Sequence, residues 1–357
     1  VTADPEAAWP FGPITTEDYH TGGEPFRIVT GGVPDLVGGT VAERRLWAGD
    51  NLDEVRQLLV NEPRGHADMY GGFVTPPDDE GAALGVVFFH NEGYSTACGH
   101  GTIALATWAV ESGRVPTPAG ASEVSFAIDV PSGRLPVTVT LGPQGVERVS
   151  FDNVPAFVAS TVQAPLTDGG HAAGAVAFGG AFYAVFTAGD FGLSVTPRDL
   201  PVIIELCRGM KEEINASGGP VHPDDERLAD IYGVILVEEV DPAEVDLEQL
   251  PPGLGSDAII QRNVTVFADG EVDRSPTGSG TSARLAVLHA AGQLAEGQEL
   301  VNLSIVDSVM TGVVTGTTTV GDHPAVTTTV AGSAFATGTH TFRLDPRDPM
   351  GTGFLLR

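Results

Sequence analysis

The apolar positions of this 357-residue chain fall mostly into short runs of strand length, and only a few stretches carry a helical period. Through Phe26-Arg27-Ile28-Val29-Thr30 the pattern predicts a pair of strands ended by glycine-rich turns. Between Val41 and Val60 apolar residues recur at helical spacing, with Leu46, Val55, Leu58 and Leu59 among them. Met69-Tyr70-Gly71-Gly72-Phe73 reads as turn-rich, and Gly85-Val86-Val87-Phe88-Phe89-His90 as a buried strand. That strand leads into Thr96-Ala97-Cys98-Gly99-His100-Gly101-Thr102-Ile103-Ala104. Small residues there open a helical pattern that Leu105, Ala106, Trp108, Ala109 and Val110 continue and Gly113 stops.

A near copy lies at Ser275-Pro276-Thr277-Gly278-Ser279-Gly280-Thr281-Ser282-Ala283 and continues through Leu285, Ala286, Val287, Leu288 and Ala290 to Gly292. One gap-free register sets Cys98 on Thr277, Gly99 on Gly278, Gly101 on Gly280, Thr102 on Thr281, Ala104 on Ala283 and Gly113 on Gly292. Motif and stop align together, which points to an internal duplication. Between the copies come strand-like runs at Val124 to Val130, Leu135 to Leu141, Ala175 to Phe186, Ile231 to Val237 and Val264 to Ala268, with a helix predicted around Ile203 to Ile214. Behind the second copy lie Leu300 to Ile305 and Ala325 to Val330. This order fits two β-rich halves, each with one central helix, better than alternating βαβ units. The turn Phe151-Asp152-Asn153-Val154-Pro155 stands midway between the copies. The expected domains are therefore 1–152 and 153–339, with the tail from about residue 340 to 357 packing back onto the first.

Charge narrows the partners. A net charge of −29 opposes nucleic acid and anionic membranes, and Lys211 is the only lysine. No apolar run approaches the roughly 18 residues needed to span a bilayer. The start Val1-Thr2-Ala3-Asp4-Pro5-Glu6 lacks the basic and apolar parts of a signal peptide, so the expected location is cytoplasmic. Two cysteines exclude a disulfide framework and a cysteine-rich zinc site. His66, His90, His171 and His222 are scattered without ligand spacing, so no metal is expected. Cys207, within Leu200 to Arg208, reads as a core thiol on a helix. Gly278-x-Gly280-x-x-Ala283 has the form of a dinucleotide fingerprint, but the βαβ order that motif needs is missing.

Cys98 has a different setting from Cys207. A cysteine at a helix start faces unpaired N–H groups and the positive end of the dipole, which favour a thiolate. The glycines after it let backbone approach a ligand, and the first N–H groups form a carboxylate site. Two such helices meeting head-on would hold one carboxylate from both sides, placing the α-carbon of an amino acid between the side chains of Cys98 and Thr277.

The stretches Asp18-Tyr19-His20-Thr21-Gly22-Gly23-Glu24-Pro25, Arg64 to Gly72, Asn91-Glu92-Gly93-Tyr94 with the Cys98 motif, and Asp273 to Thr281 together resemble the proline racemase family. So does the tail from Leu344-Asp345-Pro346-Arg347-Asp348-Pro349 to Leu356. The resemblance implies an α+β diaminopimelate-epimerase-like fold, with two β-rich barrel-like domains related by a pseudo-two-fold axis around central helices and a site in the cleft. Racemases and epimerases of the family use one cysteine on each face of the substrate. This chain departs from them at Thr277, whose hydroxyl is a far weaker acid than a thiol.

The Cys/Thr pair instead resembles the trans-3-hydroxy-L-proline dehydratases of the family, which form Δ1-pyrroline-2-carboxylate through an enamine. In the trans substrate the 3-hydroxyl and the α-hydrogen lie on one face, so one thiol can serve both. By the resemblance Cys98 removes the α-proton and Thr277 orients substrate or water. Asp273, helped by His100, holds the ring ammonium, and the N–H groups of Gly99, His100, Gly278 and Ser279 hold the carboxylate. No cofactor is needed, the expected partner is a small amino acid, and a homodimer is allowed. The alternatives are a 4-hydroxyproline 2-epimerase or proline racemase and, in another class, a non-catalytic module that binds a proline-like amino acid.

Overall fold

The apolar runs become the strands of two closed barrels in a computed structural model, which describes residues 11–241, 245, 250 and 254–356. In the first barrel, Ile14–Thr21 pairs antiparallel with Glu24–Gly31, which runs parallel to Tyr70–Thr75. Tyr70–Thr75 is antiparallel to Leu84–His90, and Leu84–His90 is parallel to Glu123–Val130. Gly133–Gly142 and Gly145–Asp152 follow as an antiparallel meander. Gly145–Asp152 then meets the end of His323–Gly332. Past Ser333 the chain continues as Ala334–Phe342, which pairs with Ile14–Thr21 and closes the ring.

The second barrel repeats this order of pairings. Ala156–Pro165, His171–Phe178 and Phe182–Thr187 are antiparallel neighbours, and the last is parallel to Ile231–Glu239. Ile259–Phe267 comes next, antiparallel to Ile231–Glu239 and parallel to Glu299–Leu303. Val309–Val320 and His323–Gly332 complete the circuit back to Ala156–Pro165. The duplication seen in the two glycine motifs therefore extends to the strand topology, with one permutation. The strand matching Ala156–Pro165 reaches the first barrel from the far end of the chain. A division at 339/340 would cut that strand, whose pairing with Ile14–Thr21 begins at Ala334.

Five α-helices complete the described fold: α1 (Val41–Asn51), α2 (Asp53–Val60), α3 (Gly99–Glu111), α4 (Leu200–Ala216) and α5 (Gly278–Ala290). Helix α3 lies against Ile14–Thr21, Gly145–Asp152 and Ala334–Phe342, and α5 against Ala156–Pro165, Val309–Val320 and His323–Gly332. Every residue of α3 from Gly99 to Ala109 is buried, as an axial helix apolar on all sides requires. Helix α4 is one-sided, burying Ile203, Cys207 and Met210 at helical spacing, so Cys207 is a core thiol. Among the described residues no helix is long and apolar enough to cross a membrane.

Three local expectations change. The helical spacing from Val41 to Val60 is two helices broken at Leu52, and Leu46 is exposed on the first of them. The run from Ala175 to Phe186 is a hairpin turned at Gly179-Gly180, where Gly180 takes φ +104°. Tyr70-Gly71-Gly72-Phe73 is strand and not turn. Its glycines serve close packing there: a Cβ on Gly71 would lie 2.7 Å from the Arg27 carbonyl oxygen.

Candidate active site

Helices α3 and α5 meet end to end. A Cβ on Gly99 would sit 2.4 Å from the Gly278 Cα, and one on Gly278 would sit 2.7 Å from the Gly99 Cα. Only glycine allows that approach. Cys98 and Thr277 occupy the N-cap positions of the two helices and so flank the junction. The first-turn N–H groups of Gly99, His100, Gly278 and Ser279 lie at the same place, where helix geometry leaves them without intrahelical acceptors. Two positive dipole ends converge on one point, an arrangement suited to a carboxylate.

The Cys98 sulfur accepts a hydrogen bond from Gly101 N at 3.2 Å and lies 3.4 and 3.5 Å from the two ring nitrogens of His100. Burial pushes the thiol pKa well up, against the Gly101 N–H bond, and the carboxylates of Asp273 and Glu24 add to the rise. This corrects the expectation of a readily formed thiolate. The helix end contributes one N–H bond, whereas burial removes the water that would otherwise solvate the anion.

Thr277 holds φ 62° and ψ 99°, a conformation that strains a β-branched residue by about 1–3 kcal/mol. Its hydroxyl does not cap α5. It bonds instead to Asp273 Oδ2 and to Thr265 Oγ1, each at 2.8 Å. Asp273 ends the short strand Glu271–Asp273, and its Oδ1 accepts from Ser275 N at 2.7 Å. His100 Nδ1 lies 3.8 Å from Asp273 Oδ2, and burial lowers the pKa of the imidazole although Asp273 opposes the shift. The Ser279 hydroxyl pairs with the Tyr183 hydroxyl at 2.7 Å. All seven residues expected from sequence, Cys98, Gly99, His100, Asp273, Thr277, Gly278 and Ser279, thus gather at one buried locus.

Residues 17–355 match the family model described as proline racemase. The chain belongs to the proline racemase family. It is 44% identical to a trans-3-hydroxy-L-proline dehydratase of Bacillus cereus, over 96% of this chain and 98% of the relative. It is 43% identical to a 3-hydroxyproline 2-epimerase of Burkholderia multivorans, over 96% and 98%. Among solved structures, a hydroxyproline epimerase from Agrobacterium vitis with bound trans-4-hydroxy-L-proline superposes with a TM-score of 0.86 at 30% identity, covering 98% of this chain and 97% of that one.

In this proline racemase family member, two further groups surround the locus that sequence reasoning did not single out. One is an aromatic wall. The Tyr70 ring stands edge-on to His100 at 4.9 Å, His90 edge-on to Phe267 at 5.5 Å, and Tyr232 is stacked on Phe267 at 5.5 Å. Tyr70 shares hydrogen bonds with the hydroxyls of Ser95 and, at 3.0 Å, Tyr232. Beyond the wall lies a cavity of about 590 Å³ lined by His90, Ser95, Thr96, Phe182 and Tyr232 among others. Residues from both barrels line it, so it is the cleft between the halves.

The second group pins the strand that carries Asp273. Arg274 N donates to Glu24 Oε2 at 2.7 Å, the Arg274 guanidinium lies 2.6 Å from Asp68 Oδ2, and Val272 N donates to Asp68 Oδ1 at 3.1 Å. Glu24 and Asp68 belong to the first barrel, so they hold the Asp273 segment of the second across the interface. Tyr70, Asp68 and Glu24 all lie within the family-like stretches of the sequence. His90, Tyr183, Tyr232 and Phe267 had no such signal, being brought together only by strand pairing.

Proposed function

We propose that this protein dehydrates trans-3-hydroxy-L-proline to Δ1-pyrroline-2-carboxylate without a cofactor. The observation that carries this reading is the asymmetry of the helix junction. One side presents a thiol, and the other a threonine hydroxyl already bonded to Asp273 and Thr265. In this scheme the substrate carboxylate lies on the N–H groups of Gly99, His100, Gly278 and Ser279, and the ring ammonium faces Asp273 and His100. Both contacts favour negative charge developing at the α-carbon.

Cys98, as thiolate, takes the α-proton. The electron pair forms the C2–C3 double bond as the C3–O bond breaks, and the thiol returns its proton to the departing oxygen. Water and an enamine result, and the enamine tautomerises to the cyclic imine. Thr277 keeps Asp273 oriented from the opposite face. Each domain supplies one helix: among the described residues, those up to 152 with the strand from Ala334 onward form one domain, and those from 153 to 332 the other. Both halves of the site come from a single chain, so a homodimer is compatible with this chemistry but not required by it. The reading is of a cytoplasmic enzyme.

The 43% identical relative named 3-hydroxyproline 2-epimerase favours a second reading, inversion at the α-carbon. That reaction needs an acid on the Thr277 face, and the alcohol there is a poor one. Incubation with trans-3-hydroxy-L-proline, with the product followed by NMR and mass spectrometry, separates the two. Loss of water supports the first reading. Recovery of the 2-epimer without loss of water would overturn it, and tight binding with no turnover would point to a binding module.

A further inference from the structure

With the carboxylate on the helix N–H groups and the ammonium at Asp273, the ring 3-hydroxyl is the one polar group of the substrate still to be held. A buried hydroxyl left without a partner costs about 1–3 kcal/mol. In the trans isomer this hydroxyl shares a face with the α-hydrogen, so it lies on the Cys98 side of the ring. Three phenols reach the region. Tyr183 is bonded to Ser279 at the start of α5, on the Thr277 side. Tyr232 lines the outer cavity. Tyr70 is on the Cys98 side: its hydroxyl is bonded to Ser95, three residues before Cys98, and its ring stands edge-on to His100, whose nitrogens lie 3.4 and 3.5 Å from the sulfur.

We propose that the Tyr70 hydroxyl holds the ring 3-hydroxyl and, by donating a hydrogen bond to its oxygen, stabilises the charge that gathers there as the C3–O bond breaks. This rests on the dehydratase reading and names the residue that distinguishes a 3-hydroxylated ring from plain proline. Ser95 and Tyr232 fix the position of the phenol oxygen before substrate arrives, so little reorganisation is needed. Burial raises the pKa of Tyr70 well above that of an ordinary phenol, so it donates a hydrogen bond and keeps its proton. The atom balance is unchanged: Cys98 removes the α-proton, the C3–O electron pair leaves with oxygen, and the Cys98 proton completes the water.

The test compares two reactions of one variant. Tyr70→Phe keeps the ring and its packing and removes only the hydroxyl. Dehydration of trans-3-hydroxy-L-proline should fall about a hundredfold in kcat. Uptake of α-deuterium into L-proline in D2O has no 3-hydroxyl to hold and senses only the lost Tyr70 hydrogen bond to the Cys98 thiol, so it should fall at least about tenfold less than dehydration. Unchanged dehydration, or equal loss in a folded variant, would overturn the assignment. Should Tyr70→Phe fail to fold, site-specific 3-fluorotyrosine at position 70 gives the same contrast, since its more acidic phenol should alter dehydration far more than deuterium uptake. An equal response of both reactions would again refute it. If the wild-type protein exchanges the α-hydrogen of L-proline but does not dehydrate the 3-hydroxy compound, the dehydratase reading fails first and the role of Tyr70 falls with it.

Discussion

Substituting Gly99 by alanine tests whether the abutting helix ends are the reaction centre. The added Cβ would lie 2.4 Å from the Gly278 Cα and 2.9 Å from its backbone N and C. Carbon atoms in ordinary contact sit about 3.5–4.0 Å apart, so the two ends must separate by about 1 Å. The obstacle is backbone, and no change of rotamer relieves it. Overpacking of this kind costs about 1–3 kcal/mol of stability. The larger effect falls on catalysis, because the N–H groups that hold the carboxylate and the side chains on either side of the α-carbon move apart together. A misplacement of about 1 Å is worth on the order of a hundredfold in rate.

Steady-state dehydration kinetics with a thermal melt on the same sample measure both effects. Gly113→Ala is the control at the other end of α3. Its Cβ meets nothing within 4 Å, but φ +73° makes alanine unfavourable there, so it should lower stability by about 1–2 kcal/mol and leave kcat alone. Gly99→Ala should lose about a hundredfold in kcat with a raised KM. A Gly99→Ala enzyme within about threefold of wild-type kcat would refute the placement of the site at the junction.

Other outcomes follow from the same geometry. Cys98→Ser should reduce dehydration below detection, because an alcohol cannot replace the thiol as base, while Thr277→Cys should gain slow α-inversion of L-proline, read by optical rotation. Burial holds the Cys98 thiol above the ordinary range of about 8.5, and the thiolate is the active form. The value of kcat/KM should therefore still be climbing as pH passes through that range, and a plateau already reached at neutral pH would contradict the assignment. His90 is depressed from 6.5 to about 3 by burial, with Arg56 and Lys211 adding to the effect. Its folded pKa is the lower one, so the unfolded chain binds the proton first and stability is lost as pH falls from 6.5 towards about 3. Thermal melts across that window should show a shallower acid limb for His90→Phe than for wild type.

Much of the candidate site was legible in the sequence because its signals are local. A run of small residues before an apolar period marks a helix start, and two such runs in one register show the duplication and the unequal pair Cys98 and Thr277. Glycine at 99 and 278 follows from the same steric logic, since only a residue without a Cβ lets two helix ends touch. The turn read at Tyr70 to Phe73 failed for a related reason. Paired glycines mark a turn or a close approach alike, and only the neighbouring strands decide between them.

The rest was settled by the tertiary structure, because strand pairing and desolvation depend on residues far apart in the chain. Ala334–Phe342 completes the first barrel by pairing with Ile14–Thr21, a choice no local pattern encodes. The Tyr70 hydroxyl meets Tyr232 across 162 positions, and Arg274 meets Glu24 across 250. The chemistry of Cys98 divides in the same way. Its place at a helix end could be read from the residues around it, but whether that end lowers the thiol pKa depends on how much water both barrels exclude. Here burial outweighs the Gly101 N–H bond and the Tyr70 hydroxyl, and the thiol pKa is pushed well up.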